Sequence, residues 1–226
     1  MSLNYDVVVP TKGNCEFVLE CLSSIFNQSL APTSVKLVLD DGDLYFGALK
    51  NNVKTNFPTC EVVTSRGYGM IRALNYGITT GESDFISFLD SDDLWTPDKQ
   101  ILQIDALSKY KEFDVVTSNL MNFDLRETLI PKRDWISSLT FTSATFRKST
   151  FKRFGLIDET ASHFTWLYRW WAKAIQSGIS RLELDVPGVV RQVHGSNSWM
   201  LDNQRAHQYL FTELRKIIAD QRIVLR

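Results

Sequence analysis

No surplus of one charge sign, no membrane-length apolar run and no paired-cysteine pattern occurs in this chain, and each absence removes a class of function. Among 226 residues, 25 Lys and Arg stand against 26 Asp and Glu, a formal net charge of −1. Without a global positive field nothing draws a polyanion, so nucleic acid is not expected as a partner. The apolar stretches are strand-length, well short of the roughly 20 residues a membrane span requires, and no secretory h-region follows Met1. A soluble protein without a transmembrane segment is expected. Cys15, Cys21 and Cys60 are odd in number and lack zinc-ribbon spacing, which predicts reduced, packed thiols in a cytoplasmic protein rather than a disulfide frame. Internal repeats, low-complexity tracts and linkers are also missing. One domain over 1–226 is therefore expected, long enough to bury a large core.

What is present is an alternation of two periodicities. Val7-Val8-Val9 reads as a strand ending at Pro10, and Phe17, Val18, Cys21, Leu22 and Ile25 follow at helical spacing after a possible Asn14 cap. A second strand, Val35 to Leu39, comes about 30 residues after the first, the length of a βαβ crossover, which predicts parallel pairing. A helix near Leu44 to Val53, a strand at Glu61 to Thr64, a helix carrying Met70, Leu74 and Ile78, and a strand at Asp84 to Leu89 continue the pattern. The expected fold class is α/β, an open, mostly parallel sheet flanked by helices. Beyond Pro97 the reading is a helix to Tyr110, strands at Asp114 to Leu120 and Thr140 to Phe146, and a helix from His163 to Ser177 closed by Gly178. Short extended pieces at Arg181 to Leu184 and Gly188 to Val193, then a tail helix over Gln204 to Ile223, complete it.

Polar loops follow each of the first four strands: Pro10-Thr11-Lys12-Gly13, Asp40-Asp41-Gly42-Asp43, Ser65-Arg66-Gly67 and Asp90-Ser91-Asp92-Asp93. In a parallel sheet these loops share the carboxyl edge, where ligands bind. Residues i and i+2 of a strand end point to one side, so Asp90 and Asp92 can converge on one cation or ribose, a site suited to a hard divalent metal carrying phosphate oxygens. Acids capping the following turn are the competing reading.

These segments together resemble the GT-A fold family 2 glycosyltransferases, which move a sugar from a nucleotide diphosphate to an acceptor. The resemblance is carried by Val8-Val9-Pro10-Thr11, by Leu22 to Gln28 with Pro32, and by Val38-Leu39-Asp40-Asp41-Gly42. It continues through Gly69 to Gly77, Phe88 to Asp93 with Pro97, Gly155 to Glu159, and Arg191-Gln192-Val193-His194. Seven motifs in register, none specific alone, make the match specific.

The resemblance implies a nucleotide-sugar half over 1–96, an acceptor half over 97–200 and a C-terminal helix over 201–226. It implies that Pro10, Thr11 and Asp41 line the base pocket of a UDP- or dTDP-sugar, with Asp41 accepting the imide N–H, while Asp40 supports it. Asp41 as a plain turn former before Gly42 stays open. The resemblance also implies Asp90 at ribose or metal, and Asp92 at a Mg²⁺ or Mn²⁺ ion that His194 completes. Arg66 and Arg72 flank the glycine-containing loop within reach of phosphate or base, but family members often place Arg directly before the equivalent of Asn75, where this chain has Leu74, so an exposed arginine on a helix stays open for them. A surface histidine is the alternative for His194. The outcome implied is inverting transfer to a glycan or lipid-linked glycan, as in polysaccharide biosynthesis.

The chain departs from the family at the catalytic base. Members place an acidic pair some residues after the equivalent of Asp158-Glu159, whereas here no Asp or Glu occurs between Glu159 and Glu183. Asp158 and then His163 are the groups at hand, with a loop-fixing role for Asp158 equally open. A degenerate nucleotide-sugar or glycan binding protein, or a scaffold subunit, is the alternative. The run holding Phe164, Trp166, Tyr168, Trp170 and Trp171 reads as core, pocket wall or weak peripheral membrane contact. Gly67-Tyr68-Gly69 lacks the third glycine of a dinucleotide fingerprint and does not follow the first strand.

Overall fold

The structure, a computed structural model, describes residues 3–124, 136–162 and 165–194. His163, Phe164 and the expected tail helix lie outside the described residues. Eight strands form one open sheet in the order β3-β2-β1-β4-β7-β6-β8-β5. The first half is β1 (Tyr5–Pro10), α1 (Val18–Phe26), β2 (Ser34–Leu39), α2 (Phe46–Asn56), β3 (Cys60–Thr64), α3 (Met70–Thr80) and β4 (Phe85–Phe88). The second half is β5 (Asp93–Trp95), α4 (Lys99–Lys109), β6 (Val115–Asp124), β7 (Ala144–Arg147), α5 (Lys148–Phe154), α6 (Trp166–Gln176) and β8 (Arg181–Val193).

Every residue of β1 is buried, as a strand covered on both faces must be. Val7 and Val9 pack with α1, α2 and α4 residues such as Leu22, Val53 and Ile104 on one face. Val8 packs with Ile71, Leu74 and Ile78 of α3 on the other, where α5 and α6 also lie. Gly77 permits the closest approach there, since a Cβ on it would sit 2.3 Å from a Val8 methyl. Trp166, Trp170 and Trp171 are buried against Phe141, Phe146 and Phe151, so the tryptophans of the aromatic run serve as core. Fully burying each such ring contributes roughly 1.5–3 kcal/mol. Tyr168 of the same helix is 42% exposed.

The strand directions decide what meets at the sheet edge. Strands β1, β2, β3 and β4 are mutually parallel. β7 runs against both β4 and β6, so β6 points the same way as β4, and β8 is parallel to β6. The carboxyl ends of β1 to β4, β6 and β8 therefore share one rim. Antiparallel pairing of β5 with β8, Asp93 opposite Arg191, brings the acidic turn after β4 to the end of β8.

Several local expectations differ from the structure. β5 and α5 were not expected, and the two short pieces after Gly178 form one strand through Pro187-Gly188. The β6–β8 ladder absorbs that proline with register shifts around Asn119, and a Cβ on Gly188 would lie 1.8 Å from Ser118 Oγ. Phe17, not Asn14, caps α1, because the loop after β1 has to turn back toward the second loop before the helix begins. Gly178 has φ +79 just past α6, the left-handed residue expected of a C′ glycine.

Candidate functional site

Three of the four rim loops are tied together by two aspartates of the second loop. Asp43 accepts the Gly13 N–H at 3.0 Å and the Tyr45 N–H at 2.8 Å, joining the first loop to the second. Asp40 accepts the Gly69 N–H at 2.7 Å, and the Asp41 N–H donates to the Gly67 carbonyl at 2.9 Å, joining the second loop to the third. Asp41 is thereby left as the exposed member, whose carboxylate has no hydrogen-bond or ion-pair partner among the described residues. Pro10 is buried opposite Val38, and the Thr11 N–H donates to the Val38 carbonyl at 3.0 Å, which sets Thr11 beside the second loop. Arg66 is exposed on a left-handed backbone, φ +57, and its guanidinium has no partner among the described residues.

The fourth loop concentrates negative charge. Asp90 is half-buried, and burial followed by the neighbouring Asp92 pushes its carboxyl up to about 6, with Arg191 pulling the other way. Asp93 is 3% exposed and is raised well above the carboxylate range by burial, then by Asp90 and Asp92, against the pull of Arg191 and of the Gln192 N–H it accepts. Asp92 Oδ2 lies 3.1 Å from His194 Nε2, and the His194 ring packs on Phe17 with centroids 4.6 Å apart. The backbone of this turn is held from beneath by two thiols: Cys21 donates to the Asp90 carbonyl at 3.5 Å, and Cys15 to the Ser91 carbonyl at 3.6 Å. Burial pushes the Cys21 thiol well up, so it stays protonated and can donate.

The donor chemistry at this turn suits a hard cation. No group of three or more His, Cys, Asp or Glu able to hold a metal occurs among the described residues. Mg²⁺ and its analogues are held by one or two carboxylates together with substrate phosphates and water, so Asp90 and Asp92 suffice once a diphosphate supplies the remaining oxygens. Three mutually repelling carboxylates opposed by Arg191 are an environment that added positive charge relieves.

The second-half residues are brought near α3. Asn75, 5% exposed, donates to the Ile157 carbonyl at 2.8 Å and accepts the Ile157 N–H at 3.0 Å, fixing the Asp158-Glu159 loop to α3. Arg72 pairs with Glu159 at 3.2 Å across a cavity of about 210 Å³ that Ser65, Asn75 and Tyr76 also line. That cavity contains none of Asp41, Asp90 or Asp92, and its two charges already neutralise one another, so it is not the charged centre of the rim. Asp158 Oδ1 accepts the hydroxyl and the N–H of Thr160, and its other oxygen meets Arg169 at 3.1 Å. These contacts, the Thr160 hydroxyl first, hold the Asp158 carboxyl below its ordinary range. His163 lies outside the described residues.

Roles for Asp43 and Arg191 were missed in the sequence. Asp43 carries a turn signal in Asp-x-Gly-Asp but nothing that names its partner in the first loop. Arg191 meets the acids only through the β5–β8 pairing, and a three-residue strand leaves no periodicity to read.

The family model described as glycosyl transferase family 2 matches residues 6–173. An uncharacterized glycosyltransferase of Haemophilus influenzae is 26% identical over 115 residues, 50% of this chain and 42% of that relative. The chain thus spans less than half the length of the curated relative it matches. Among solved structures, S. aureus TarS 1-349 in complex with UDP-GlcNAc superposes with a TM-score of 0.64 at 18% identity, covering 88% of this chain and 61% of that one. The same TarS segment in complex with UDP gives 0.63 at 18% identity, with 84% and 60% covered. At such identities the likeness shows a shared fold.

Proposed function

The chain belongs to glycosyl transferase family 2, and from that membership we propose that it moves a sugar from a nucleotide diphosphate to an acceptor hydroxyl. The donor class is a UDP- or dTDP-sugar, and the acceptor a glycan or lipid-linked glycan. One observation carries the reading: the parallel strands bring Asp41, without a partner among the described residues, and the charge-crowded Asp90 and Asp92 to one rim, each beside a loop able to complete a nucleotide site. The UDP and UDP-GlcNAc of the two TarS complexes support a uridine donor.

In this reading the base lies against Pro10 and Thr11 with its imide N–H on Asp41, an acceptor-only group matched to a donor. Arg66, exposed and without a partner among the described residues, reaches for phosphate. Asp90 and Asp92 hold the divalent cation, Mg²⁺ or Mn²⁺, with His194 beside Asp92. When bound, that ion neutralises charge on the leaving diphosphate. Arg72 is engaged by Glu159 and contributes through the loop rather than as a free cation.

Deprotonation of the acceptor falls to Asp158, or to His163 later in the same stretch of sequence. A carboxyl held below its ordinary range is ionised at neutral pH but is a weak base, so Asp158 must give up the Thr160 hydrogen bonds first, and then Arg169, to contribute fully. General-base catalysis commonly supplies about 10² to 10⁴ in rate, and its weakening predicts a slow enzyme. The same contacts favour the second reading, a protein that binds nucleotide sugar without turnover.

Assays of UDP-sugar hydrolysis and transfer with Mn²⁺ or Mg²⁺, run beside UDP titration, test both. Metal-dependent UDP release supports the transferase, binding without release supports the second reading, and absence of nucleotide binding overturns both.

A further inference from the structure

Tyr68 is the most exposed aromatic ring of the described residues, at 75%, and it stands on the most tightly tied loop of the rim. Ser65 Oγ donates to the Gly67 carbonyl at 2.9 Å, the Asp41 N–H donates to the same carbonyl, and Asp40 accepts the Gly69 N–H. Arg66 at φ +57 is a non-glycine residue in the left-handed region, which persists only when its surroundings impose it, and Gly69 supplies the positive φ of +95 just after Tyr68. Arg72 fills the space a Gly67 side chain would need, with its Cδ 2.6 Å from a Cβ built there. The loop is thus fixed at both flanks of a ring that has no hydrogen-bond, ion-pair or ring partner among the described residues.

The ring leans over the second loop. Its hydroxyl lies 3.8 Å from where a Cβ on Gly42 would stand, the residue that follows Asp41 in the second loop. A rigidly presented aromatic face beside an acceptor-only edge is a complementary pair for one ligand shape, a flat heterocycle with an imide donor on its rim. An acceptor sugar also stacks on aromatic rings, but its hydroxyls do not require an imide acceptor at Asp41, and the shared position favours the base.

Resting on the donor site proposed above, we infer that Tyr68 is the stacking platform of the nucleobase and, with Asp41, selects a pyrimidine imide such as uracil. The hydroxyl takes no part, so the ring alone carries the effect. Binding exchanges a solvent-exposed ring for a stacked one, a gain that inorganic diphosphate cannot obtain.

Calorimetry on the whole chain tests this with uridine diphosphate and, as a base-free probe, inorganic pyrophosphate, both with Mn²⁺. Because the ring is exposed, Tyr68→Ala leaves the melting curve unchanged. It weakens uridine diphosphate by roughly 5- to 100-fold and pyrophosphate by less than about twofold, while Tyr68→Phe stays near wild type. Unchanged uridine diphosphate affinity in Tyr68→Ala, or an equal loss for both probes, overturns the inference and leaves the transferase reading standing. Failure of the wild type to bind uridine diphosphate strikes that reading itself. Loss confined to the acceptor KM assigns the ring to the acceptor sugar and overturns its role at the base.

Discussion

Asp40 Oδ1 accepts the Gly69 N–H at 2.7 Å, and this bond fastens the third rim loop to the second. A carboxylate accepting a backbone N–H contributes about 1.5–3 kcal/mol, and removing it leaves the donor to find water. Asp40→Ala is therefore expected to lower stability by roughly 1–3 kcal/mol in urea titration and to weaken nucleotide binding indirectly. Unchanged stability would show that the tie is not formed in solution.

Asp41 behaves oppositely, because its carboxylate is exposed and serves no contact among the described residues. Asp41→Ala removes the acceptor of the imide N–H and breaks no contact among the described residues, so the melting temperature holds. Uridine diphosphate affinity falls by about 10- to 100-fold, the worth of a hydrogen bond to a charged acceptor. Calorimetry and thermal melting on the same two variants separate the supporting aspartate from the recognising one.

Asn75 spans 82 positions of sequence to hold both backbone groups of Ile157. Asn75→Ala orphans a buried N–H and a buried carbonyl at once, each costing about 1–3 kcal/mol. The expected loss is roughly 2–5 kcal/mol by denaturant unfolding, with a large fall in any transfer rate because the Asp158-Glu159 loop comes free. A loss confined to activity, with stability intact, contradicts this account of the clamp.

Lys99 is fully buried with its amine 2.8 Å from Gln103 Oε1 and 4.4 Å from the Trp95 ring centre, and burial pulls its pKa well below the ordinary lysine value. The sign follows from the unfolded chain, which binds a proton at neutral pH that the buried amine resists. Stability is full above the unfolded pKa and falls as pH drops from there toward the folded value. Lys99→Met removes this penalty and is expected to stabilise the protein at pH 7 by about 1–3 kcal/mol, with the gain shrinking toward pH 10. Unfolding of both proteins between pH 7 and 10 checks it, and a destabilised variant at pH 7 contradicts it.

The sequence made the first four strands legible because β-branched runs such as Val7-Val8-Val9 are long enough to show their period and end at loop residues. Their parallel order followed from the crossover length, and with it the shared rim that carries Asp41, Asp90 and Asp92. β5 and α5 were not legible, since three and seven residues leave too little pattern against their neighbours. Pro187-Gly188 read as a break because the register shift that accommodates it belongs to β6, about 70 residues away. The same limit hid the ties of Asp43 to Gly13 and of Arg191 to the acids, which exist only through long-range pairing. Asp158 was legible as an acid near the acceptor half, but its engagement by Thr160 and Arg169 was not.

The most direct test of the donor site is a crystal structure of the full chain with uridine diphosphate and Mn²⁺. The account predicts the uracil imide within hydrogen-bond distance of Asp41, and the diphosphate and ion at Asp90 and Asp92. Nucleotide bound away from these three carboxylates, or Mn²⁺ coordinated without Asp90 and Asp92, contradicts it.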